Sequence, residues 1–172
     1  MNVSTEKFEE LFSSFQRSAF RLETLDAYSI PGEQATLQAF LAGEPQPESH
    51  RNAPWAASVR EITRAGKRMF RVHIVQRPLS DYLRYELSWG YRRNQQAGEE
   101  FFILDVTNRP NPLAGVSDFW LFDDETAIVM EYTEAGEFLG AEIAENVGLY
   151  RTHRDRAVAE AEPFDAWWER YG

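Results

Sequence analysis

The sequence predicts an α/β (α+β) protein: a single domain with a mixed β-sheet, a central βαβ unit, an antiparallel meander and C-terminal helices. Three observations predict it. Met69–Val75 and Glu100–Val106 are strand-like runs separated by a helical stretch of some eighteen residues, the pattern of a parallel crossover. Phe119–Phe122, Ala127–Tyr132 and Phe138–Ile143 follow at short spacing, joined by Asp123-Asp124-Glu125 and Glu134-Ala135-Gly136, which reads as a meander. The length of 172 residues suits one core.

The elements follow in order. Ser4 is placed to cap a helix over Thr5–Phe15, with Phe8, Leu11, Phe12 and Phe15 at helical spacing. Ala19–Glu23 alternates as a strand. Pro31-Gly32-Glu33 opens a short helix carrying Leu37, Phe40 and Leu41, and Gly43 stops it. Glu44–Asn52 reads as an exposed loop. It is not a domain boundary, because the stretch before it is too short for its own core. The single domain 1–172 thus divides into an N-terminal portion 1–50, a central sheet 51–145 and C-terminal helices 146–172. Pro54 starts a helix with Trp55, Val59 and Ile62 on one face, ended by Ala65-Gly66. Met69–Val75 alternates as a half-buried strand. Leu79–Ala97 reads as one helix stopped by Gly98, and 147–171 as helical with one break at Pro163.

Charge is unevenly distributed. The chain carries a net −10, yet Arg51–Arg93 holds ten Lys/Arg against three Asp/Glu, while both flanks are acidic. A basic set from Arg64 to Arg93, interleaved with Tyr82, Tyr85, Trp89 and Tyr91, could hold a negative partner such as single-stranded nucleic acid, or could match acidic residues of the same chain. The overall charge opposes general binding to duplex DNA. The chain has no cysteine, which excludes disulfides and thiolate chemistry and fits a cytoplasmic setting. The N-terminus shows no signal-peptide pattern, and no apolar run suits a membrane span. His50, His73 and His153 lie far apart with no metal-ligand spacing, so no metal site and no cofactor are expected. His73 reads as packed in its strand.

The candidate site lies around the first central strand: Arg68, Arg71, Tyr82, Glu86, Arg93, Glu99, Asp118 and Trp120. On a helical wheel Glu86 and Arg93 fall in the middle of an apolar arc, so Glu86 is expected to be buried and paired with an arginine, Arg93 or Arg71. Asp118 and Asp123 could neutralise Arg68 and Arg71. Asp123 and Asp124 read rather as turn residues, more so than Asp118.

Several segments together resemble an uncharacterised family of actinobacterial proteins encoded near helix-turn-helix regulators: Arg17-Ser18-Ala19-Phe20-Arg21-Leu22-Glu23 with Tyr28 and Trp55, Gly66-Lys67-Arg68-Met69-Phe70-Arg71-Val72, Pro78-Leu79-Ser80-Asp81-Tyr82, Ala97-Gly98-Glu99, and Asp118-Phe119-Trp120-Leu121-Phe122-Asp123-Asp124. The resemblance implies a protein partner and no particular activity. Gly66–Val129 is similar to half of a phospholipase D-like domain, whose signature H-x-K-x4-D would fall in Asn111–Phe122. That stretch holds neither His nor Lys, which implies binding rather than phosphodiester cleavage. The expected role is a non-catalytic binding or regulatory module acting with a protein partner such as a helix-turn-helix regulator. The alternative is an enzyme acting on RNA or another phosphodiester, with Glu86 or Glu99 as base and Arg71 or Arg93 as phosphate clamp.

Overall fold

A computed structural model describes residues 2–172. Its centre is a seven-stranded mixed sheet in the order β6-β5-β4-β1-β2-β3-β7. The strands are β1 Ser18–Glu23, β2 Arg68–Val75, β3 Glu100–Asp105, β4 Phe119–Phe122, β5 Thr126–Tyr132, β6 Phe138–Ile143 and the short β7 Glu162–Pro163. β1, β2 and β3 are mutually parallel, and the pairs on either side of them are antiparallel. The predicted βαβ unit and meander are both present. Pro163 does more than break a helix: with Glu162 it forms an edge strand paired to β3, a position that tolerates a missing N–H.

The helices are α1 Thr5–Ser14, α2 Gln34–Leu41, α3 Glu48–Arg51, α4 Pro54–Arg64, α5 Asp81–Tyr85, α6 Arg92–Ala97, α7 Val147–Glu160 and α8 Phe164–Tyr171. Ser4 caps α1 by accepting the Lys7 N–H. Two helical readings need correction. The expected loop 44–52 contains α3. The stretch 79–97 is not one regular helix: a π-helical segment, Glu86–Tyr91, separates α5 from α6. An α-helical wheel therefore does not hold across Glu86–Tyr91. Gly98 stops α6 at φ +114°, where a Cβ would lie 2.5 Å from Thr63 Oγ1.

β2 is buried along nearly all its length, not half-buried as its alternation implies. It lies in the middle of the sheet with cover on both faces. One face presents Phe20, Leu22, Phe70, Val72, Ile74, Leu104, Phe119 and Leu121 beneath Ala157 and Tyr150 of α7, a wholly apolar layer. The other face alternates in register. Ala19, Arg21 and Glu23 of β1 stand opposite Met69, Arg71 and His73 of β2, and Arg21 also faces Trp120 of β4. Apolar clusters bound this polar row. One includes Ala56, Val59, Met69 and Phe122; the other includes Val75, Leu83, Leu87 and Ile103. Among the described residues no helix is long and apolar enough to cross a membrane.

Candidate functional site

Charged side chains run across the centre of that second face, and nearly all are buried. Arg21 is 6 % exposed, Glu23 3 %, Arg71 9 %, His73 0 %, Glu99 2 % and Asp118 2 %. Charges so placed persist only when paired and hydrogen-bonded. Arg21 donates to Asp118 at 2.9 Å, and Asp118 also accepts from Thr24 and from the Tyr28 hydroxyl at 2.6 Å. Arg71 donates through Nε (2.9 Å) and Nη2 (2.7 Å) to Glu99 Oε1 and through Nη1 (3.0 Å) to Glu23. The Trp120 ring lies beside both guanidinium groups, at 5.7 Å from Arg21 and 5.6 Å from Arg71.

The titration of these groups follows from the pairing. Burial disfavours charge on Arg71, but Glu99 and Glu23 outweigh it and hold the guanidinium charged. Burial also pushes the Glu23 carboxyl up, but the Arg71 guanidinium beside it outweighs this and holds Glu23 well below the usual range. Glu86 goes the other way. Burial raises its pKa well above the carboxylate range, and the neighbouring Glu23 charge raises it further. Glu86 thus has no ion pair among the described residues, which corrects the expected Glu86–arginine pair. The bonding of Arg71 explains it: this arginine is already committed to Glu99 and Glu23. The Glu86 carboxyl lies against Glu23 instead.

Two adjoining hollows open onto this row. One of about 220 Å3 is bordered by Glu33, His50, Trp55, Arg71, Glu86 and Arg93. The second, of about 280 Å3, is bordered by Arg21, Glu23, Tyr28, Trp120 and Tyr132, and shares Ile30, Trp55, Arg71 and Glu86 with the first. Arg93 is half-buried and donates to the His50 carbonyl at 3.2 Å and to the Asn94 side chain at 2.9 Å. Burial lowers its pKa, Glu33 counteracts this through space, and Arg71 adds to the lowering. Burial, then Arg93, brings His50 down to about 4, so it is neutral near pH 7. Two larger and more open depressions lie elsewhere. In the one at the C-terminus, the arginines Arg77, Arg84 and Arg170 are each paired with a carboxylate.

The expected site residues separate into two groups. Arg71, Glu86 and Arg93 border the first hollow. Glu99, Asp118 and Trp120 stand in or beside the buried row. Tyr82 is buried nearby and donates to Glu33 at 3.2 Å. Arg68 does not belong: it is exposed, pairs with Glu100 at 2.8 Å and covers Phe70 on the opposite face. Strand alternation puts residues 68 and 71 on different sides. Asp118 does neutralise an arginine, but it is Arg21. Asp123 accepts the backbone N–H groups of Gln16, Arg17 and Ser18, Asp124 pairs with Arg154, and both adopt positive φ, so these two are turn residues. Arg21, Glu23, Glu33 and His50 were not among the expected site residues. A signal existed for two of them. In both Ala19-Phe20-Arg21-Leu22-Glu23 and Met69–Val75, an apolar residue shares parity with the charged ones, so the charged face was never simply a solvent face.

The family model of a domain of unknown function, DUF6879, matches residues 6–169. The chain belongs to that family. No curated protein matches it. Among solved structures it is similar to a phospholipase D family member, Nuc from Salmonella typhimurium, with 12 % identity, TM-score 0.47 and 93 % of each chain covered. It is also similar to the phosphatidylserine synthase of Haemophilus influenzae Rd KW20, with 11 % identity, TM-score 0.46, 95 % of this chain and 38 % of that one covered. The similarity to phospholipase D family members is weak.

Proposed function

We propose that the protein is a binding module whose first hollow takes a small ligand carrying an anionic group, anchored by Arg93. One observation carries the reading. Arg93 borders that hollow half-buried, and among the described residues no carboxylate lies within ion-pair distance of it. A guanidinium in this state has lost hydration without gaining an anion, and its planar fork suits a phosphate or carboxylate. The regulatory role alongside a protein partner, with a helix-turn-helix regulator as the candidate, belongs to the same reading. It is supported by Phe138, Leu139 and Ile143 of β6, which stand 53 %, 66 % and 49 % exposed on one edge of the sheet.

A second reading, an enzyme acting on RNA or another phosphodiester, is favoured by the position of Glu86 in the same hollow as Arg71 and Arg93. One set of measurements separates the two. Inorganic phosphate and adenosine 5′-monophosphate are expected to bind saturably by calorimetry, with affinity about tenfold weaker in Arg93→Ala. Absence of saturable binding, or equal binding by the variant, removes the anion reading. Turnover of single-stranded RNA or bis(p-nitrophenyl) phosphate that is lost in Glu86→Gln favours the enzyme.

A further inference from the structure

We infer that Glu23, His73 and Glu86 form a binding site for a divalent transition-metal ion. The inference does not depend on the anion reading, since Arg93 takes no part in it. Sequence spacing gave no hint of it, because the three residues come from β1, β2 and the start of the π-helical segment and only the tertiary fold brings them together. One ligand atom from each lies within 4.8 Å of the others, a spread that a single ion can span.

The hydrogen bonds in the cluster leave it short of protons. The His73 Nε2 lies 2.8 Å from the Leu25 carbonyl oxygen, which only accepts, so Nε2 carries the hydrogen. In the neutral ring, Nδ1 is then a lone pair directed at the cluster. This is the arrangement by which a backbone carbonyl orients a metal-ligating histidine. The Tyr91 hydroxyl lies 2.8 Å from Nδ1 and also contacts Glu23 Oε1. Its one proton can serve only one of these two acceptors. Glu86 Oε2 is buried with no hydrogen-bond partner among the described residues, and the carboxyl it belongs to faces Glu23, a second acceptor. Acceptors facing one another need a cation or a proton between them.

The ion pairs point the same way. Among the described residues Glu23 and Glu99 pair with Arg71 and Asp118 pairs with Arg21, while Glu86 has no cation paired with it; a divalent ion would supply one. Imidazole with two carboxylates suits zinc or manganese better than magnesium, and the Tyr91 oxygen is close enough to join as a fourth ligand.

The test uses the full chain without a polyhistidine tag, stripped with chelator and dialysed. Zn2+, Mn2+ and Mg2+ are added separately, and binding is followed by calorimetry, with elemental analysis for stoichiometry. One equivalent of Zn2+ or Mn2+ is expected, with Mg2+ bound more weakly. Glu86→Gln, which keeps the shape of the side chain, should lower the affinity about tenfold or more. Glu100→Gln, in an exposed pair, should leave it unchanged, and so should Arg93→Ala even though that variant weakens anion binding. His73 is wholly buried, so its replacement is not used. No stoichiometric binding at millimolar metal, or binding undiminished in Glu86→Gln, overturns the inference.

Discussion

Asp118 shows what one residue does here. Its two oxygens take the Arg21 guanidinium, the Thr24 backbone and hydroxyl, and the Tyr28 hydroxyl, tying the end of β1 and the chain after it to β4. Removing the carboxylate leaves Arg21 charged and buried with no equivalent partner. Asp118→Ala is therefore expected to lower stability by about 3–5 kcal/mol in urea denaturation. Glu100→Gln disrupts a pair in which both side chains are 47 % exposed, and should cost at most about 1 kcal/mol. Equal losses in the two variants would mean that the buried row does not hold the sheet face together. The contrast was half legible in the sequence. Asp118 was visible as a candidate because acids bracket an aromatic strand, but its partner Arg21 was not, since pairing depends on which strand lies next to β4.

Among the elements, α8 depends most clearly on a single titrating group. Trp167 is wholly buried, and its indole N–H donates to Asp105 Oδ2 at 2.9 Å, where Arg77 also donates at 2.7 Å. Burial pushes the Asp105 carboxyl up, but hydrogen bonds from Thr107, Trp167 and Arg77 outweigh it and bring the pKa from 3.8 to about 2. The folded value lies below the unfolded one, so the unfolded chain binds the proton more tightly. The stabilisation is fully present above the unfolded value and is lost as pH falls from near 4 toward 2. Trp167 fluorescence should report α8 loosening in that window, and Asp105→Asn should flatten this part of the stability curve. An acid transition unchanged in Asp105→Asn would assign it to other carboxylates. The π-helical segment is the other element with consequences. It begins at Glu86, whose carboxyl faces Glu23 and not an arginine, the partner the wheel had wrong.

The molecule as a whole pairs four of the ten basic residues of Arg51–Arg93 with its own carboxylates. Arg68 pairs with Glu100, Arg71 with Glu99 and Glu23, Arg77 with Asp105 and Arg84 with Asp81. What remains is a chain of net −10, which repels a polyanion at long range. Random-sequence duplex DNA at physiological salt is expected to bind no tighter than about 1 µM. Tighter binding in a fluorescence-anisotropy titration would show that the charge distribution, not the total, governs the surface.

Local pattern was enough for the strands, most helix starts and the mixed sheet. Period-two alternation, caps such as Ser4 and stops such as Gly98 act between residues close in the chain, and so they can be read from it. The partners of the charged residues could not be read, because a parallel sheet brings together residues some fifty positions apart. Arg21 lies across from Arg71 and Glu23 across from His73 only once β1 and β2 are in register. Burial was misjudged at β2 for the same reason: alternation cannot tell a face covered by helices from one covered by water. The departure from α-helical geometry at 86–91 also left no mark in the sequence pattern. Nor could the meeting of Glu86 with Glu23 and His73 be read, since it depends on how the helix over 81–91 lies on the sheet.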